Sequence, residues 1–211
     1  YGMTETSGTI VALDPEDHVP EGSPRMRSVG TPLPGVEVKI IDEAGNEVPA
    51  GTVGEIATRS SKNMRGYWNN PEATAATIDP EGWLRTGDAG YFDEDGYLYI
   101  HDRVKDMIIS GGENVYPAEV ENALYRHPAV QQCAVIGVPD RYRGETVKAI
   151  ISLREGDLDL EELQRFLAGK LSPMEIPKQL EIVADIPKNE NMKISKQALR
   201  EREAAARAEE A

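Results

Sequence analysis

Tyr1-Gly2-Met3-Thr4-Glu5-Thr6-Ser7-Gly8 gathers hydroxyls, a carboxylate and glycine-exposed backbone amides in one short string. Such a set can face a phosphate and its magnesium ion, because magnesium prefers hard oxygen ligands and often takes one protein carboxylate plus phosphate oxygens. A turn with a capping threonine and a solvated glutamate would use the same residues. In Gly82-Trp83-Leu84-Arg85-Thr86-Gly87-Asp88, a carboxylate follows a glycine at the end of an expected strand. Asp88 could accept both hydroxyls of a ribose, or close an Asx turn. A third string runs from Asp102 to Pro117. Its Arg103 has a planar donor fork suited to ribose or phosphate oxygens, and Gly111-Gly112 allow a loop to approach a ligand closely. Read plainly, these are an interdomain ion pair and a turn before a helix. The fourth string, Pro187 to Lys196, carries Lys188, Lys193 and Lys196 on a polar loop. A mobile ammonium there can stabilise charge on a polyphosphate; a solvated basic loop is the alternative.

The elements that must hold these strings follow from periodicity. Val36 to Ile40 and Val53 to Ala57 alternate about an Ala44-Gly45-Asn46 turn, and Gly90 to Phe92 pairs with Tyr97 to Ile100 across Asp95-Gly96, which predicts two hairpins. Asn70-Pro71-Glu72 opens a short helix through Ala76. Beyond residues 102 to 106 the pattern changes to alternating helices and strands. A helix starts at Pro117, strands span Val130–Val138, Val147–Leu153 and Leu180–Val183, and Asp159 and Ser195 cap two further helices. The tail beyond Arg202 has no apolar stripe and is expected to fray. The fold class is therefore α+β, a β-rich unit followed by a small α+β unit.

Composition narrows the function. With 23 Lys+Arg against 37 Asp+Glu, the net charge of −14 repels a phosphate backbone, which argues against nucleic acid as a partner. The longest strongly apolar stretch, Cys133 to Val138, is far short of a transmembrane segment. Cys133 reads as a buried strand residue, and a single cysteine suits a reducing, cytoplasmic compartment. The chain opens on Tyr1 with no basic-then-apolar leader and reads as an internal fragment.

Taken in order, the four strings closely resemble the adenylate-forming (AMP-binding) superfamily, which includes acyl-CoA synthetases, peptide-synthetase adenylation domains and beetle luciferases. GEIATRSSKNMRGYWNNPEAT and DRVKDMIISGGENVYPAEVE look most like acyl-CoA synthetases for fatty or aryl acids. The resemblance implies that residues 1–104 form the C-terminal part of the large N-terminal domain, with distorted barrel-like hairpins. Residues 105–211 would be the mobile C-terminal domain. A carboxylic acid would react with ATP to give acyl-AMP, and CoA would then take the acyl group. By motif position, Tyr1 and Gly2 would contact adenine, Thr4 the α-phosphate and Glu5 the magnesium. Asp88 and Arg103 would hold the ribose, and Lys193 would bridge the acyl carboxylate and phosphate. Lys105 would be the hinge; after rotation Gly111, Gly112, Glu113 and Asn114 would line the pantetheine tunnel, with Arg141 and Arg143 meeting CoA phosphates. The phosphate loop and most of the acid pocket would lie upstream, leaving the fragment inactive alone. One departure is Met192, where the family usually has glycine; if the loop needs positive φ there, a side chain costs roughly 1–2 kcal/mol. A carrier-loading adenylation domain, a luciferase-like oxygenase and a nucleotide-binding module without catalysis remain the alternatives.

Overall fold

The computed structural model describes residues 1–210, the side chains of 209 and 210 excepted. The chain divides into two compact units, Tyr1–Val104 and Lys105–Ala211.

In the first unit, β1 (Gly2–Met3) pairs with β2 (Gly8–Thr9), and β3 (Val11–Ala12) with β4 (Thr31–Pro32). The two expected hairpins join into one antiparallel meander of β5 (Glu37–Ile41), β6 (Gly54–Arg59), β7 (Leu84–Phe92) and β8 (Leu98–Arg103). Period-two alternation brings Val36, Val38 and Ile40 onto Ile10, Ile56 and Leu98 in a single core. Between β6 and β7, helix α1 (Pro71–Thr77) begins at Asn70, whose side chain accepts a hydrogen bond from Ala73 N at 3.0 Å.

The second unit runs β9 (Ile108–Ser110), β10 (Glu113–Val115), α2 (Pro117–Leu124), β11 (Val130–Asp140), β12 (Gly144–Leu153), α3 (Leu160–Leu167), β13 (Gln179–Ile182) and α4 (Lys196–Glu210). Its sheet has the order β10-β9-β12-β11, with β13 parallel to β12. Cys133 to Val138 of β11 and Ala149 to Ile151 of β12 run apolar because both faces of the sheet are covered there, whereas Lys148 interrupts β12. Cys133, Val135 and Val147 pack with residues of α2 and α3, whereas Ala134, Ile136 and Ile150 pack with Ile186 and with Leu199 of α4. Cys133 is buried, and burial pushes its thiol up to about 12, so it is inert packing. Asp159 and Ser195 cap as expected, accepting from Glu162 N at 2.7 Å and Ala198 N at 3.3 Å.

The last helix departs from expectation, for it does not fray after Arg202 but continues to Glu210; Ala211 lies outside the described residues. Charges fasten it where an apolar stripe is missing. Arg202 pairs with Glu181 at 2.7 Å, Glu203 with Lys148 at 2.5 Å, and Arg207 reaches Pro139 O at 3.0 Å. Among the described residues, no helix is long and apolar enough to cross a membrane.

Candidate functional site

Three of the predicted residues meet in the first unit. The Tyr1 hydroxyl donates to Asp88 Oδ2 at 2.5 Å, and Arg103 Nε lies 3.0 Å from Asp88 Oδ1. Burial, then the bond to Asp88, raises the Tyr1 phenol well above its ordinary value, so it remains a donor. Asp88 is not at a strand end but inside β7, opposite Arg103 of β8. The ladder pairs Ala57 with Arg85 and Glu55 with Ala89, so Thr86, Gly87 and Asp88 all lie against the single residue Ile56. This bulge re-aims the carboxylate. Gly87, at φ 72°, supplies the backbone that a side chain would strain, while its N–H donates to Glu55 Oε1 at 3.1 Å. Thr86 Oγ1 locks the bulge by donating to Ile56 O at 2.8 Å and accepting from Asp88 N at 3.2 Å. Arg103 thus pairs within the first unit, not between domains. Its side chain is 54% exposed against 12% for Asp88, which leaves guanidinium donors open to a ligand. An ionised carboxylate has about four acceptor positions, so Asp88 retains capacity beyond Tyr1 and Arg103.

The β1–β2 hairpin carries the next group. A Cβ on Gly2 would lie 2.1 Å from Gly8 O, so only glycine permits this closure. Thr6, not Thr4, caps the intervening turn: its buried hydroxyl accepts from Met3 N at 3.1 Å and donates to Gly8 O at 2.8 Å. The Thr4 side chain is exposed and lines, with Tyr1 and Gly2, an open cavity of about 530 Å³. Glu5 Oε1 accepts from Tyr67 at 3.0 Å, leaving Oε2 without a partner among the described residues. No group of three or more His, Cys, Asp or Glu residues able to hold a metal occurs among them. One carboxylate with a free oxygen beside exposed hydroxyls fits a magnesium ion that takes its other ligands from phosphate. Tyr67 is a site neighbour that sequence reasoning did not single out, since nothing local signals a contact across 62 positions.

The second unit presents the remaining groups. Lys188 and Ile194 bridge the base of a tight turn, in which Asn189 Oδ1 accepts from the backbone N of both Asn191 and Lys193 at 3.0 Å. Met192 sits at φ 61°, the left-handed region in which a glycine would be unstrained. Lys188 lies 3.4 Å from Asp185, and Lys196 pairs with Glu121 at 2.8 Å; Lys193 is exposed with no side-chain partner among the described residues. Gly111 and Gly112 form the exposed β9–β10 turn, and Glu113 and Asn114, also exposed, are the first residues of β10, paired with Ser110 and Ile109. Gly111 N donates to Arg143 O at 2.9 Å, so the β11–β12 turn bearing Arg141 and Arg143 stands beside it. Lys105 is exposed in the short helical turn Val104–Asp106.

Comparison with known proteins bears on the family. The family model for AMP-binding enzymes matches residues 1–68, and that for the AMP-binding enzyme C-terminal domain matches residues 119–193. A fatty acid–[acyl-carrier-protein] ligase of Streptomyces coeruleorubidus is 45% identical over 96% of this chain and 39% of its own length. A long-chain-fatty-acid–CoA ligase of Bacillus subtilis is also 45% identical, over 96% of this chain and 36% of its own. The O-succinylbenzoate coenzyme A synthetase of Bacillus subtilis, solved with ATP and magnesium ion, superposes with a TM-score of 0.84 at 38% identity, covering 95% of this chain and 40% of that one. The chain thus spans about two fifths of the length of the relatives it matches.

Proposed function

Because the chain belongs to the AMP-binding, adenylate-forming superfamily, we propose that the protein containing it activates a fatty or aryl carboxylic acid with ATP and passes the acyl group to CoA. The observation that carries this reading is the joining of Tyr1, Asp88 and Arg103 in one hydrogen-bonded group, because all three come from separate nucleotide-like motifs.

In the first step the acid's carboxylate oxygen attacks the α-phosphorus, the bond to the β-phosphate breaks, and pyrophosphate leaves. Tyr1 and Gly2 offer a surface for the adenine, and Asp88 with Arg103 holds the ribose hydroxyls. Thr4 would donate to the α-phosphate, and Glu5 would hold the magnesium. Bound there, magnesium would neutralise polyphosphate charge. Lys193 supplies an ammonium to the charge that builds on the phosphate, an interaction strongest in the transition state. In the second step the CoA sulfur attacks the acyl carbonyl and AMP leaves. Lys105 is assigned as the hinge of a rotation that exchanges Lys193 for the Gly111–Asn114 segment, with Arg141 and Arg143 toward CoA phosphates. The isolated 211-residue chain is expected not to turn over, because it holds no glycine- and hydroxyl-rich phosphate loop. A cytoplasmic setting suits the single buried Cys133. The name of the Streptomyces relative supports a second acceptor, the phosphopantetheine thiol of a carrier protein.

Pyrophosphate exchange and thioester formation by the full-length protein, across short, medium, long and aromatic acids, test the reading. CoA and a phosphopantetheinylated carrier should be offered in parallel. Lys193→Ala should cut acyl-AMP formation by about 10²–10³ while leaving CoA attack on supplied acyl-AMP within about threefold. Lys188→Ala and Lys196→Ala should do much less. Sensitivity at either of those lysines with tolerance at Lys193 would overturn the assignment.

A further inference from the structure

Glu5 is held from two directions by one loop. Met64 N donates to Glu5 O at 2.7 Å, and Tyr67, three residues on, donates its hydroxyl to Glu5 Oε1 at 3.0 Å. Tyr67 is itself fixed at both backbone groups. Its N–H donates to Thr74 Oγ1 at 2.9 Å, and its carbonyl accepts from Asn70 N at 3.2 Å. Thr74 belongs to α1, and its hydroxyl donates in turn to Asn70 O at 2.8 Å. A capped helix therefore anchors the loop, the loop anchors the phenol, and the phenol engages one oxygen of the glutamate.

The consequence is an asymmetric carboxylate. A glutamate side chain has three rotatable bonds and two equivalent oxygens, so a free one must lose rotamers and choose an oxygen when it binds a cation. Here that choice is already made: Oε1 is taken by Tyr67 and Oε2 is left. We infer that Tyr67 is a positioning residue for the divalent cation, presenting Glu5 as a ligand through Oε2 alone. The inference rests on the proposed assignment of Glu5 to magnesium. It adds to that assignment the residue which sets the ligand's orientation. Partners that orient a metal ligand typically change metal affinity by about 10–100-fold when removed.

The test uses the full-length protein with Mn²⁺ as a paramagnetic probe and a non-hydrolysable ATP analogue, the free ion being counted by electron paramagnetic resonance. Tyr67→Phe deletes only the hydroxyl and keeps the ring. It should weaken Mn²⁺ binding by about tenfold, and raise by a similar factor the magnesium concentration that half-saturates pyrophosphate exchange. A merely structural role would instead lower turnover at saturating magnesium without moving that concentration. Glu5→Gln serves as the control. If Glu5→Gln weakens Mn²⁺ binding and Tyr67→Phe leaves it within twofold, the positioning role is refuted while the magnesium assignment stands. If Glu5→Gln has no effect, both fall.

Discussion

Replacing Met192 by glycine should strengthen the second unit even though it removes a side chain. At φ 61° a residue with a Cβ is disfavoured by about 1–2 kcal/mol. Glycine returns about 0.4–1 kcal/mol of this through its greater freedom in the unfolded chain. Met192 is 75% exposed, so its truncation forfeits only about 0.5 kcal/mol of the 1.5–3 kcal/mol that full burial of such a side chain supplies. The balance is about 0.3 kcal/mol in favour of glycine, a rise of about 1–2 °C if the second unit melts on its own. Met192→Ala separates the two contributions, for it loses the same packing and keeps the backbone strain. The expected order of stability is Gly above Met above Ala, with Gly and Ala about 1 kcal/mol apart. Urea unfolding with a common m-value reads the differences directly. Alanine equal to or above glycine would show that position 192 does not hold positive φ, and the geometry assigned to the Lys193 turn would fail with it.

Further outcomes follow from the same reasoning. Asp88→Ala in the full-length protein should lower kcat/KM for ATP by about 10–150-fold, equivalent to the 1.5–3 kcal/mol of a hydrogen bond to a charged group, with the circular dichroism of the folded protein retained. An unchanged kcat/KM would strike Asp88 from the site. In the second unit, burial and a hydrogen bond to Glu175 push the Glu119 carboxyl up to about 7, above its ordinary 4.5. Its folded pKa exceeds the unfolded one, so the associated stability is full below about pH 4.5 and is lost as pH rises through about 7. Discounted for solvent screening, the loss is about 1 kcal/mol. Urea unfolding between pH 5 and 8 should therefore decline for the parent and stay flatter for Glu119→Gln; parallel curves would contradict the shared-proton contact.

Features set by near neighbours along the chain were legible in the sequence. The caps at Asn70, Asp159 and Ser195 and the Asp95-Gly96 hairpin depend on residues a few positions away, which is the range over which periodicity and turn chemistry act. The features that escaped are long-range. The displacement of Asp88 depends on Ile56 and Glu55 of the adjacent strand. Tyr67 meets Glu5 across 62 positions from a loop that Thr74 of α1 anchors. Helix α4 persists because Lys148, Glu181 and Pro139 stand under it, although its own sequence offers little apolar surface. In the nucleotide-like cluster, chemical type was readable at Tyr1, Asp88 and Arg103, but their mutual hydrogen bonds required the register of β7 on β8.

The β7 bulge makes this segment far less tolerant of changes in length than of changes in kind. Arg85 and Ala89 are fixed by their partners on β6, and the three residues between them are accommodated opposite one. Conservative substitutions at Arg85 or Ala89 leave that count intact. A single deletion between them that slips the register turns every following side chain to the opposite face, carrying the Tyr91 ring toward the core and a neighbouring side chain into the place of Gly90, where an added Cβ would lie 2.4 Å from Tyr99 O. Chimeras that exchange this strand with a relative's can therefore keep the carboxylate in place only if their crossover points preserve the number of residues between the two paired positions.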